Sequence, residues 1–163
     1  MHPTLAAYLL SATSLLSIAT AKHVSWCASS APSGSNCQNI YLDDENIAKQ
    51  IGNQVYTDYT NNDCGLHSGS IDDIYYTVYA TTTGGDCRST AELATVQGAL
   101  YNLIQTEFAN GELCGSQCIK LSHGGTWTGW LAISTSQSAL NSFKCDSSVG
   151  VPNCGDCGKE CLP

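Results

Sequence analysis

The sequence predicts a disulfide-rich α+β domain, a small antiparallel sheet covered by one long and one shorter helix. Three observations carry that expectation. Ten cysteines all fall after residue 21, behind an apolar leader. Residues 89–110 repeat apolar side chains at helical spacing. Residues 71–81 and 114–133 alternate apolar and polar side chains with a period of two, the mark of half-buried strands.

The leader comes first. An apolar run over residues 5–21 ends in Ala19-Thr20-Ala21, a small-x-small cleavage pattern. Residues 1–21 therefore read as a signal peptide, and residues 22–163 as one secreted, extracellular domain. Ten cysteines suit an oxidising compartment, and an even number allows five disulfides with no thiol left over. Spacing alone does not choose their pairing. No second apolar run of membrane-spanning length follows, so no transmembrane segment is expected, and the domain reads as a monomer. The formal charge is −8, and the six Lys and Arg residues are scattered. That excludes a basic patch, and with it nucleic acid as a partner held by electrostatics.

Residues 22–39 are rich in Ser, Pro, Gly and Asn, which predicts a loop stapled by Cys27 and Cys37 and anchored by Trp26. A helix is expected over 41–56. Asp43, Asp44 and Glu45 suit its positive N-terminal end, and Ile47, Ile51 and Val55 recur at i, i+4 and i+8. The acidic triplet lacks the alternating ligands and fixed glycine of a calcium loop. Residues 58–70 form a turn-rich loop around Cys64. The strand over 71–81 sets Ile74, Tyr76 and Val78 against Tyr75, Thr77 and Tyr79, and places Asp72 and Asp73 on opposite faces.

The long helix opens with a Ser89/Glu92 capping box and stops at Gly111, and Gly98 inside it marks close packing against the sheet. Next comes a hairpin, turning at Gly124-Gly125, with Trp127, Leu131 and Ile133 on one face and Thr128 and Trp130 on the other. Residues 137–143 suit a single helical turn, and 145–163 an irregular disulfide-held tail.

Candidate chemistry is sparse. Cys154-x2-Cys157-x3-Cys161 could supply zinc ligands with Cys145, but a redox motif needs a helix N-terminus that this tail lacks. In a secreted chain the expected role of Cys27, Cys37, Cys64, Cys87, Cys114, Cys118, Cys145, Cys154, Cys157 and Cys161 is structural disulfides, with no metal and no cofactor. Ser122 and His123 are strand neighbours and point apart, and no G-x-S-x-G elbow is present. Nothing in the spacing joins His67 to Asp72 or Asp73 as a triad, so no catalytic residue is expected. Trp130 and Thr128, with His123, Gly124 and Gly125 at the turn, form the candidate binding surface. Tryptophan stacks on sugar rings and anchors protein interfaces.

The string Cys87-Arg88-Ser89-Thr90, the long helix, Cys114, Cys118 and then LSHGGTWTGWL over 121–131 resembles fungal small secreted proteins. It is similar in particular to the C-terminal domain of the yeast condition-specific secretion proteins, a group loosely tied to killer toxins and effectors. That resemblance covers about a third of the chain and brings no catalytic residues with it. It implies a non-enzymatic secreted protein of toxin or effector type, acting on another cell or an extracellular target. The partner would be a host or competitor protein or a cell-surface glycan. A cell-wall carbohydrate-binding module is the alternative, followed by a small secreted hydrolase.

Overall fold

A computed structural model of the chain describes residues 23–32, 37–39, 44–82, 85–108, 111–125 and 127–163. The expected signal peptide, residues 41–43 of the first helix, Asn110 and Thr126 lie outside them. In chain order the elements are β1 (Val24–Ala28), β2 (Cys37–Asn39), α1 (Asp44–Thr60), β3 (His67–Ile71) and β4 (Ile74–Thr82). Then follow α2 (Leu93–Glu107), β5 (Glu112–Cys114), β6 (Ser116–His123), β7 (Trp127–Ser134), α3 (Gln137–Ser142) and β8 (Asn153–Cys157), closed by a 3-10 turn, Lys159–Cys161. Six strands make one antiparallel sheet in the order β3-β4-β7-β6-β1-β8, and β2 pairs with β5 separately. The α+β expectation holds, with more strands than the sequence announced.

The helices α1 and α2 cover one face of the sheet. Ile51, Val55, Leu100 and Leu103 meet Leu121 and Leu131 there, all almost fully buried. Burying each such side chain is worth about 1.5–3 kcal/mol. Three aromatic rings on this face lie over glycines. A Cβ on Gly69 would stand 2.4 Å from Tyr76, one on Gly155 2.5 Å from Trp26, and one on Gly129 2.6 Å from Trp127. Glycine is required at these positions because the ring occupies the volume a side chain would need.

Several sequence expectations need correction. The loop assigned to 22–39 contains β1, because Val24, Trp26 and Ala28 alternate into the core. The first helix runs to Thr60, past Tyr56, since Tyr59 continues the apolar stripe and donates its hydroxyl to the Ala91 carbonyl. The loop assigned to 58–70 ends in β3. Asp72 and Asp73 form the two-residue turn between β3 and β4, with Asp72 in the left-handed region (φ +51°), so they are not strand residues. Aspartate tolerates that conformation better than most side chains.

The Ser89/Glu92 capping box does not form. Glu92 is the N-cap of α2 and makes no side-chain cap bond. Cys87 is tied to Cys64 and donates its N–H to Asn62, which holds the chain extended a turn beyond Ser89. Gly98 packs against the C-terminal turn rather than the sheet, since a Cβ there would lie 1.9 Å from the Gly158 carbonyl oxygen. The tail assigned as irregular supplies β8, an edge strand pairing with β1.

Candidate functional site

The second face of the sheet is covered only in part. Strand register lines up Thr81, Thr128, Ser122, Ser25 and Asp156 in one row across five strands. At about 4.8 Å per strand the row runs about 19 Å. Thr81, Ser25 and Asp156 are exposed, and Thr128 and Ser122 half-buried. The next row on the same face holds Tyr79, Trp130, Lys120 and the bonded pair Cys27–Cys154.

Beyond it α3 closes the face. Leu140 packs with Cys118, Trp130, Ala132 and Cys145 in a small second core. The Cys118–Cys145 disulfide ties the segment after α3 to β6, and Tyr79 donates its hydroxyl to the Cys145 carbonyl at 2.9 Å. Burial, aided by the negative charge of Asp146, holds the Tyr79 phenol above its ordinary range, so it remains a donor. Clefts flank this covered patch on both sides. One of about 710 Å³ is lined by Ser29, Pro32, Ser116, Phe143, Val149 and Pro152. The other, about 280 Å³, is lined by Leu66, Ser68, Tyr79, Phe143, Lys144 and Asp146 among others. Phe143 is a wall of both.

The five sequence-predicted binding residues do not come together. Thr128 and Trp130 share the open face. His123 lies on the helix side, 3% exposed, with Nδ1 3.3 Å from the Ser89 hydroxyl. Gly124 and Gly125 form the exposed tip, at φ +62° and +75°. Trp130 corrects the expectation of exposure. It is 5% exposed, its Nε1 donates to Thr81 at 3.1 Å, and the Lys120 ammonium stands 6.0 Å from the ring centroid. Alternation along β7 tells which face Trp130 occupies, but not that α3 covers that part of the face.

All ten cysteines are bonded, as Cys27–Cys154, Cys37–Cys114, Cys64–Cys87, Cys118–Cys145 and Cys157–Cys161. Cys37 and Cys114 lie close to Glu112, but their sulfurs are joined to each other and offer no thiolate pair to a metal.

One cluster escaped the sequence reading. Asp58, on α1, is 6% exposed. Its Oδ1 accepts from Gln54 Nε2 at 2.7 Å, and its Oδ2 is buried with no hydrogen-bond partner. His67 Nε2 lies 3.6 Å from Asp58 Oδ1 and 3.1 Å from Asp63 Oδ2. Burial raises the Asp58 carboxyl above its ordinary range. The Gly65 N–H holds that of Asp63 below it, with help from His67. The available signal was a polar residue at the i+7 position of an apolar stripe, since Ile51, Val55 and Asp58 share one side of α1.

Among the described residues no helix is long and apolar enough to cross a membrane. No curated protein and no solved structure matches the chain. Residues 14–143 match DUF6736, so Cys145 and Cys154 lie beyond the matched segment and bond back into it at Cys118 and Cys27. With most of its length inside that match, the chain belongs to DUF6736, a family of unknown function.

Proposed function

We propose that this is a non-enzymatic fungal protein of the toxin or effector type, exported from the cell, which acts by binding a host or competitor protein through the open face of its sheet. The asymmetry of the sheet carries this reading. One face is sealed beneath α1 and α2, whereas the other keeps a hydroxyl row and two clefts accessible on either side of α3. Five disulfides suit a protein that must stay folded outside the cell. The non-enzymatic part rests on placement. Ser122 and His123 face opposite ways, the Ser89 hydroxyl that His123 does meet lies against a buried imidazole on the helix side, and Asp72 and Asp73 occupy an exposed turn.

Replacing Thr128 and Ser122 together by Arg puts bulk and charge across the row without touching the helix-side core. Binding to target cells should fall at least about tenfold, which corresponds to about 1.4 kcal/mol, with the melting temperature unchanged. Undiminished binding would sink the assignment of this face.

The run of hydroxyls over Thr81, Thr128, Ser122 and Ser25 favours a second reading, a glycan-binding module, because sugar hydroxyls pair well with such donors and acceptors. Retention on chitin, glucan or mannan beads supports that reading. Binding to cells that is abolished by surface proteolysis, with no retention on the beads, supports the protein target.

A further inference from the structure

The two edges of the main sheet are guarded differently. Strand β8 carries Asp156 and runs into the turn closed by Cys157–Cys161. Strand β3, paired only with β4, reads His67-Ser68-Gly69-Ser70-Ile71. It holds no proline, and its one titratable side chain, His67, turns away toward Asp58 and Asp63. An edge strand without such guards is a template for an added strand.

The register identifies the backbone groups that face outward. Asp72 and Asp73 alone separate Ile71 from Ile74, so that pair exchanges the hydrogen bonds nearest the turn. Bonded and unbonded pairs alternate along an antiparallel ladder, so Gly69 and His67 also bond to β4. The N–H and C=O groups of Ser68 and Ser70 therefore point away from the sheet. Both residues are exposed, and among the described residues no partner meets these four groups.

Two features beside the edge say what strand would fit it. Ser68 pairs with Thr77 and Thr77 with Ala132, and all three line the 280 Å³ cleft on the open face. A residue set against Ser68 continues that row and brings its side chain to the mouth of the cleft. Leu66 stands there, two-thirds exposed, the one large apolar side chain so exposed among the described residues. Carboxylates flank the strand at both ends, with Asp63 half-exposed before it and Asp72 and Asp73 exposed after it. Lys144, on the opposite wall of the cleft, is already paired with Asp146 at 3.8 Å. Antiparallel pairing of two β3 strands would set the Asp72 end of each copy against the Asp63 end of the other. Like charges would then meet within a screening length of about 10 Å. Self-pairing is opposed, and a basic strand is favoured.

We propose that the β3 edge docks an extended segment of a partner protein, added antiparallel, with an apolar side chain opposite Ser68 and basic residues beyond both ends. That the target is a protein rests on the open-face reading. Strand addition itself rests on the register and the flanking charges.

The probe is a blocked nonapeptide of alternating leucine and threonine with two lysines at each end. Its binding should slow exchange of the Ser68 and Ser70 amides by at least about tenfold, since neither N–H is paired in the free protein. Methylating the leucine nitrogens, which face β3 in antiparallel pairing, should abolish that protection. Methylating the threonine nitrogens, which face solvent, should leave it. Glutamates in place of the lysines should weaken binding at least about tenfold, and added salt should narrow the difference. Ser70→Pro removes an outward N–H and no ladder bond, so the variant should fold and lose the peptide. If it does not fold, the two methylated peptides decide. Unprotected Ser68 and Ser70 amides at millimolar peptide, equal binding of both methylated forms, or undiminished binding of the glutamate peptide would each overturn the proposal. So would a dimer of the free protein that Ser70→Pro dissolves, because the edge would then belong to a second copy. No target cell enters these measurements, so the Thr128/Ser122 experiment can fail without them, and they without it.

Discussion

On the helix side of the sheet, α1 and α2 bring two full apolar stripes against Leu121, Trp127 and Leu131. On the other side α3, six residues long, brings Leu140 down onto Trp130 and Ala132. The first layer is closed by packing, with aromatic rings laid over glycines. The second has too little helix to close itself, and a disulfide stands in for the missing apolar area. Cys118 and Cys145 lie inside the small core they staple, with Cα atoms 5.1 Å apart. Where chain length allows long helices, burial suffices. Where it does not, a covalent link holds the layer, and the part of the face beyond that link remains open.

The largest effect that can break this comparison comes from the packed side. Trp127 is 2% exposed, meets Tyr59 edge-on at 5.7 Å and covers Gly129. Trp127→Ala should cost about 3–5 kcal/mol, read as a loss of melting temperature in calorimetry. Its Nε1 is buried without an acceptor, so Trp127→Phe should cost much less than the alanine change. A cost for alanine below about 1 kcal/mol would mean that the helix-side layer, too, depends on its disulfides.

The stapled side comes next. Replacing Cys118 and Cys145 together by Ala opens a link spanning 27 residues and should cost about 3 kcal/mol. The loss should appear first around α3, as a red shift in fluorescence when Trp130 meets water, with the β6–β7 hairpin still protected from exchange. Simultaneous loss of α2 would show that the two layers unfold as one.

The same contrast explains what could be read in advance. The hairpin was legible because Ile119, Leu121, Leu131 and Ile133 alternate locally and Gly124-Gly125 marks the reversal. The helix-side stripes were legible because their spacing is internal to each helix. By contrast, β1 and β8 are fixed by long-range pairing, β1 between β6 and β8 and β8 on β1. Trp26 lies over Gly155, a partner more than a hundred residues away, and a Ser- and Gly-rich context hides both. Ser89 looked like a cap because its neighbours have the right types, yet the Cys64–Cys87 link sets where α2 begins. Asp58 and His67 are near in sequence, but a tight turn through Asn62 (φ +57°) is needed to bring them together. In each case the missing information was a contact between elements.

The smallest effect probes the boundary between the two layers. Ser136 caps α3, with its hydroxyl accepting the Ala139 N–H at 3.3 Å. Ser136→Ala should destabilise this helix by about 1 kcal/mol at most, since the bond is long and the site exposed. If α3 is held chiefly by the staple, the change stays local. Exchange over residues 137–142 should quicken by a factor of about five, while the global melting temperature moves little. A global loss as large as that from the tryptophan change would place α3 within the main cooperative unit, and the division of labour between packing and disulfide would then fail.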